Sequence, residues 1–190
     1  MERIKLKRII IYLLLTTYVT FASELKNNKI ISNMVTDTKL IDSISFGLGQ
    51  NKFNHNIFKL GLQKDFSSNI YENENGFLSG FYDLSLNQWN YSDSPIYGLA
   101  FSPVFEYYFN TNMKDFIPFI HIGIGATYIT KTSTHNSDFT THFQFEDRMG
   151  IGIMSKKYKL SFDYFHYSNG SIKKPNDGMD MILISYIYKF

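Results

Sequence analysis

The stretch FHYSNGSIKKPNDGMD, residues 165–180, sets a histidine, two serines and a run of Asn and Asp side chains close together. A serine hydroxyl is a poor nucleophile until an imidazole nitrogen within hydrogen-bond reach accepts its proton. A carboxylate on the other ring nitrogen then fixes the tautomer and stabilises the imidazolium. Ser168, His166 and Asp180 are of the right types for these three roles. Acyl transfer also needs donors for the developing oxyanion; Asn169 follows the serine directly, and Gly170 and the loop backbone offer N–H groups. Pro175 and the Asn176-Asp177-Gly178 turn stiffen the loop, since proline fixes φ and Asn-Gly-type sequences accept left-handed conformations. Alone, His-x-Ser is a weak motif, and a strand end among lipid head groups carries His, Ser and Asp without chemistry.

The elements that must position these groups are strands. After Ser23 no stretch is long and apolar enough to span a bilayer as a helix. Period-two alternation recurs instead, broken by Asn, Asp, Ser and Gly clusters. Eight segments are expected near 42–49, 56–66, 77–89, 96–109, 116–129, 140–154, 157–168 and 179–190. In the fifth, Phe116, Ile120, Ile122, Ile124 and Tyr128 lie opposite His121, Gly123, Gly125 and Thr127. The sixth sets Phe143, Phe145, Met149, Ile151 and Ile153 against His142, Gln144, Glu146 and Arg148. The polar faces carry glycines, hydroxyls and opposite charges (Glu106, Glu146, Arg148, Asp163) suited to pairing inside a narrow lumen. Apolar outside and polar inside is the arrangement of a membrane barrel, although a two-sheet sandwich with a polar outer surface alternates in the same way.

The rest of the chain favours the membrane. MERIKLKR followed by IIIYLLLTTYV and the small residues of Thr20-Phe21-Ala22 has the form of a cleaved secretory signal, residues 1–22, with the mature chain, 23–190, as one barrel domain. The apolar run is shorter than the roughly 20 residues a spanning helix needs. With no cysteine, disulfides, thiolate metal sites and lipoprotein anchoring are excluded. A net charge of +2 gives no reason to expect nucleic acid as a partner. The 14 Tyr and 18 Phe against one Trp supply the aromatic girdles that membrane interfaces require. The end, MDMILISYIYKF, puts Ile182, Ile184, Tyr186, Tyr188 and the terminal Phe190 on one face. It resembles the C-terminal strand of bacterial outer-membrane barrels, whose last aromatic is read by the barrel assembly machinery. The expected fold is therefore all-β, an eight-stranded antiparallel transmembrane β-barrel whose interior is filled by side chains.

With both termini in the periplasm, odd strands run outward and even strands return. The turn at 155–157 is short, as periplasmic turns are, and the connection 169–178 is longer, as surface loops are. Tyr158, Leu160, Phe162 and Tyr164 share a face, and His166 and Ser168 continue its parity. They project from the outside of the wall at its outer end. Asp180 shares the outward parity of Ile182 and Ile184, so the hairpin can bring it beside His166.

HYSNGSIKKPNDG, residues 166–178, resembles the signature of the lipid A 3-O-deacylases, the PagL family. FQFEDRMGIGIM at 143–154 and the segment from Pro118 to Gly125 are similar to that family's preceding strands. The resemblance implies an outer-membrane enzyme that hydrolyses the ester at position 3 of lipid A in the outer leaflet. Lipopolysaccharide would be the substrate, outer-membrane lipids the surroundings, and no metal or cofactor is required. It implies His166 as general base, Ser168 as nucleophile, Asn169 as oxyanion donor assisted by loop backbone near Ser171, and Asn176 as a supporting group. The family has a glutamate where this chain has Asp180, one methylene shorter; Asp177 is the fallback acid. A non-enzymatic barrel serving adhesion or membrane integrity, or a lipid acyltransferase, stays open beside this, and the sequence leaves open whether the barrel forms a homodimer.

Overall fold

The structure is a computed structural model that describes residues 39–91, 94–111, 113 and 115–190. The signal segment expected at 1–22 and the mature start near Ser23 lie outside the described residues.

Among the described residues nine antiparallel strands form one sheet: β1 (Ser43–Asn51), β2 (Asn56–Asp65), β3 (Tyr71–Asn73), β4 (Gly76–Trp89), β5 (Ile96–Phe109), β6 (Ile117–Ile129), β7 (Phe143–Ser155), β8 (Tyr158–Ser168) and β9 (Met179–Lys189). The eight long strands close on themselves. β1 pairs with β9 from Ser43↔Lys189 to Asn51↔Met181, and β2 pairs with β4 from Ile57↔Trp89 to Asp65↔Phe81. Closure removes the exposed edges that an open sheet would present. The three-residue β3 is the departure from the eight expected segments, and it has a simple cause. β4 overhangs β2 by residues 76–80, and the chain after β2 folds back to pair that edge, Tyr71↔Leu78 and Asn73↔Gly76.

The wall is apolar outside and polar inside. Ile122 and Ile151 are each 62% exposed, whereas Asp83 and Glu146 are wholly buried. A water-soluble sandwich would reverse this, so the inversion distinguishes the two folds that alternation alone left open. Tyr158, Tyr186, Tyr188 and Phe190 gather at the rim holding the chain end, with the Tyr158 and Tyr186 rings stacked at 5.9 Å. Tyr97, Tyr128, Phe143 and Tyr164 stand exposed toward the opposite rim. Two aromatic belts flanking an apolar band fit a bilayer.

The lumen has two layers. In its middle, Arg148 Nη1 lies 3.0 Å from Asp83 Oδ2, and Lys59 Nζ sits 3.2 Å from that oxygen and 3.5 Å from Glu146 Oε2. Glu146 also accepts the hydroxyls of Ser102 and Tyr167, each at 2.7 Å. Lys159 pairs with Glu106 at 2.5 Å, and His121 Nε2 lies 3.2 Å from Asp163 Oδ1. The charges expected in the lumen, Glu106, Glu146, Arg148 and Asp163, lie there and pair with Lys159, Lys59, Asp83 and His121. Toward the rim with the longer loops the filling turns apolar: Ile57, Trp89, Ile96, Ile129, Phe139, Phe165, Tyr167 and Met179 pack together. His142 corrects the sequence expectation. β7 begins at Phe143, so the alternation has not yet started at 142, and the imidazole lies outside the lumen, stacked on Tyr128 at 5.2 Å and 15°.

Breaking a buried ion pair by removing one partner leaves the other charge uncompensated, at a cost of about 3–5 kcal/mol. Asp83→Ala, which leaves Arg148 without its bonded carboxylate and Lys59 with Glu146 alone, is expected to lower the barrel's unfolding free energy by about that much. Urea titration of detergent-folded protein measures it, and an unshifted midpoint would show that the lumen pairs contribute nothing.

Candidate functional site

At the outer end of β8, inward and outward side chains alternate: Phe165, Tyr167 and Asn169 are buried, and His166 and Ser168 lie between them on the wall's outer surface. Phe165 and Tyr167 belong to the apolar plug that fills this end of the lumen. Their burial fixes the strand's rotation, so His166 and Ser168 have only one direction in which to point. β9 repeats the pattern, with Met179 and Met181 buried on either side of outward-facing Asp180.

Cross-strand register does the rest. His166 and Asp180 are direct partners in the β8–β9 ladder, and His166 Nδ1 lies 2.7 Å from Asp180 Oδ1. The same oxygen accepts the Tyr164 hydroxyl at 2.6 Å. A carboxylate so placed requires Nδ1 to carry the proton, which leaves the Nε2 lone pair free on the other edge of the ring. Gly178 lets the loop pass close to that edge: its φ is +62°, and a Cβ there would stand 3.0 Å from His166 Cε1.

The loop after Ser168 turns back at once. Gly170 and Ser171 both have left-handed backbones, at φ +63° and +62°. The Gly170 N–H donates toward Ser168 Oγ at 3.4 Å. Asn169 is wholly buried, and its side-chain amide donates to the carbonyls of Phe139 and Lys173, both at 2.9 Å. Its amide protons therefore fasten the loop instead of facing the hydroxyl. Asn176 accepts the Asn169 N–H through Oδ1 at 3.1 Å, and its own amide nitrogen bonds to no described residue. Ser171 is exposed. Asp177, the fallback acid, is committed elsewhere: its carboxylate accepts the Asp138 N–H at 2.7 Å and ties this loop to the β6–β7 connection.

Three neighbours of His166 did not stand out in the sequence. Asp147, the β7 partner of His166, puts a second carboxylate on the outer face. Tyr164 reads in sequence as one more lipid-facing aromatic, yet it holds Asp180. Lys52, just past β1, brings its Nζ to 3.9 Å from Asp180 Oδ2. Only the register of four neighbouring strands, β7, β8, β9 and β1, reveals them. An imidazole and a carboxylate thus meet on the outer surface of the wall, with the Ser168 hydroxyl two residues along the same face and the Gly170 N–H beside it.

Residues 56–189 match the family described as lipid A 3-O-deacylase (PagL). The lipid A deacylase PagL of Pseudomonas aeruginosa is 31% identical over 133 residues, 68% of this chain and 75% of that protein. Its counterpart from Bordetella bronchiseptica is 37% identical over 73 residues, 38% of this chain and 41% of that protein. The crystal structure of the outer membrane enzyme PagL superposes with a TM-score of 0.74 at 28% identity, covering 78% of this chain and 99% of that one.

Asn169→Ala removes the side-chain bonds that pin the loop at Lys173 and join it to Phe139, leaving the Asp177 and Pro175 ties to the β6–β7 connection in place. Loss of two buried hydrogen bonds is expected to cost about 1–3 kcal/mol locally. Trypsin should then cut after Lys173 several-fold faster while the barrel stays intact; an unchanged cleavage rate would mean that the loop is held by other contacts.

Proposed function

Because this chain belongs to the lipid A 3-O-deacylase (PagL) family, we propose that it releases the 3-linked hydroxyacyl chain of lipid A by a serine-esterase mechanism run by Ser168, His166 and Asp180. The protein is an outer-membrane β-barrel hydrolase that deacylates lipid A. The observation that carries the mechanism is the 2.7 Å contact between His166 Nδ1 and Asp180 Oδ1 on the outward face of the wall.

His166 Nε2 takes the proton as Ser168 Oγ attacks the ester carbonyl carbon. The carbonyl oxygen becomes an oxyanion, received by the Gly170 N–H and by the free amide of Asn176. Collapse expels the sugar 3-oxygen, which takes the proton back from the imidazolium. Water, deprotonated by the same imidazole, then attacks the acyl-serine and releases the 3-hydroxy fatty acid. Asp180 keeps the ring oriented and offsets its charge in both halves. Asn169 serves as the loop's fastening and Ser171 contributes its left-handed turn.

Position explains why the site can lie on the outside. The ester of lipid A sits where acyl chains meet sugars, so an enzyme that faces the outer leaflet at that depth need not lift its substrate out of the membrane. Residues 1–22 act as the secretory signal, 23–190 as the mature barrel, and Phe190, 55% exposed at the other rim, offers its ring to the assembly machinery.

Expression in a host that makes lipopolysaccharide, followed by mass analysis of its lipid A, is expected to show the loss of one 3-hydroxyacyl chain. Ser168→Ala and His166→Asn should abolish the loss; a gained chain would point to acyl transfer, and an unchanged mass with folded protein to a structural barrel. Asp180→Ala should lower kcat by roughly 10⁴, the scale seen when a triad acid is removed. Asp180→Glu should retain most of the rate. Equal kcat in wild type and Asp180→Ala would remove the carboxylate from the mechanism.

A further inference from the structure

The closure of β1 on β9 builds a surface beside the triad that the hydrolytic steps do not use. Three outward rows cross β8, β9 and the β1 edge. The first is His166, Asp180 and Lys52, whose N–H extends the ladder to the Asp180 carbonyl at 3.1 Å. The second is Tyr164, Ile182 and Gln50, and the third is Phe162, Ile184 and Leu48. All of these except His166 line a groove of about 440 Å³ on the outer wall. Successive rows lie roughly 7 Å apart along the strands. The groove thus passes from charged at the level of the triad to wholly apolar two rows deeper.

Lys52 is the unspent group in this arrangement. Both strong bonds to Asp180, from Tyr164 and His166, go to Oδ1. Lys52 Nζ faces Oδ2 at 3.9 Å, too far for a hydrogen bond, and donates to no described residue. The ammonium also stands over the Phe53 ring, 5.4 Å from its centroid, and keeps its N–H donors open. Its side chain is 37% exposed. A cation with its donors open, at the mouth of a groove whose floor is apolar, fits an anionic head group whose acyl chain runs down the wall.

We propose that Lys52 is a specificity residue that binds the phosphate on the same glucosamine ring as the 3-linked ester. This rests on the deacylase function proposed above and names the part of the substrate that orients it. Lipid A carries phosphate on its glucosamines, and an ammonium held one strand from the triad pins the ring while Ser168 faces the ester. The phosphate makes Lys52 a contributor to binding, whereas the bond-making stays with Ser168 and His166. Lys173 and Lys174 lie in the 169–178 loop and are exposed.

The test compares lipid A bearing the 1-phosphate with its 1-dephospho counterpart, each in detergent mixed micelles, on full-length protein. Lys52→Ala is expected to raise KM for the phosphorylated substrate about tenfold, the scale of one charge-assisted hydrogen bond, with kcat within about twofold. Its KM for the dephospho substrate should match wild type, Lys52→Arg should restore the preference, and Lys173→Ala should leave it intact. Equal losses on both substrates, or a fall in kcat alone, would overturn the proposal and make Lys52 a support for Asp180. A parallel binding measurement uses Ser168→Ala with and without Lys52→Ala. If wild type cleaves neither lipid, the deacylase function fails, and binding alone decides: preference for the phosphorylated lipid lost with Lys52 upholds the subsite, and equal binding rejects it.

Discussion

A residue in a barrel wall has two directions available, lumen or lipid, and its neighbours take the opposite one. This constraint governs the whole molecule. Phe165, Tyr167, Met179 and Met181 fill the outer end of the lumen, so His166 and Asp180 between them must face out. A one-residue slip of β8 against the core would send the imidazole inward and expel two aromatic rings into lipid. The plug therefore does for the proposed active site what a hydrophobic core does for a soluble enzyme: it holds the imidazole and the carboxylate at fixed positions from behind.

The same alternation forces charge into the lumen, and the width of an eight-stranded barrel limits how that charge can be satisfied. Glycine solves the crowding at particular places. A Cβ at Gly150 would stand 2.4 Å from His121 Nε2 and 2.6 Å from Asp163 Oδ1, and one at Gly125 would stand 1.9 Å from Ser102 Oγ. Removing those methyl groups gives His121, Asp163 and the Ser102–Glu146 bond room to sit at pairing distance. The lumen is consequently packed with polar side chains, and its stability depends on each ion keeping its partner.

Much of this was legible in the sequence because it follows from parity. Alternation across 143–154 and 157–168 assigned faces to nearly every residue of β7 and β8, and the outward placement of His166 and Ser168 followed from it. What escaped depends on register, which parity does not encode. Asp147 sits on the outward face of β7, but only the pairing of Asp147 with His166 makes it a neighbour of the site. Lys52 and Asp180 are far apart in the chain and meet because the barrel closes through β1 and β9. β3 escaped for another reason: three exposed residues pairing an overhang leave no periodic signal. His142 was misplaced because alternation cannot say at which residue a strand begins.

The shorter acid at 180 follows from the same geometry. Directly opposed residues in an antiparallel pair have Cβ atoms only about 4.5–5.5 Å apart, so an aspartate already reaches Nδ1 of the opposing imidazole, as the 2.7 Å contact shows. A carboxylate on the lipid-facing side of a wall is costly unless its charge is shared. Here Tyr164 and His166 both donate to one oxygen, and the Lys52 ammonium stands off the other. Being short also limits how the carboxylate can turn, because fewer rotatable bonds leave less freedom to lose when the pair forms. In the proposed mechanism, low polarity on the lipid side strengthens the attraction between imidazolium and carboxylate at the moment the ring becomes charged. On that proposal the membrane that makes this acid expensive to place is also what makes it effective once it is held.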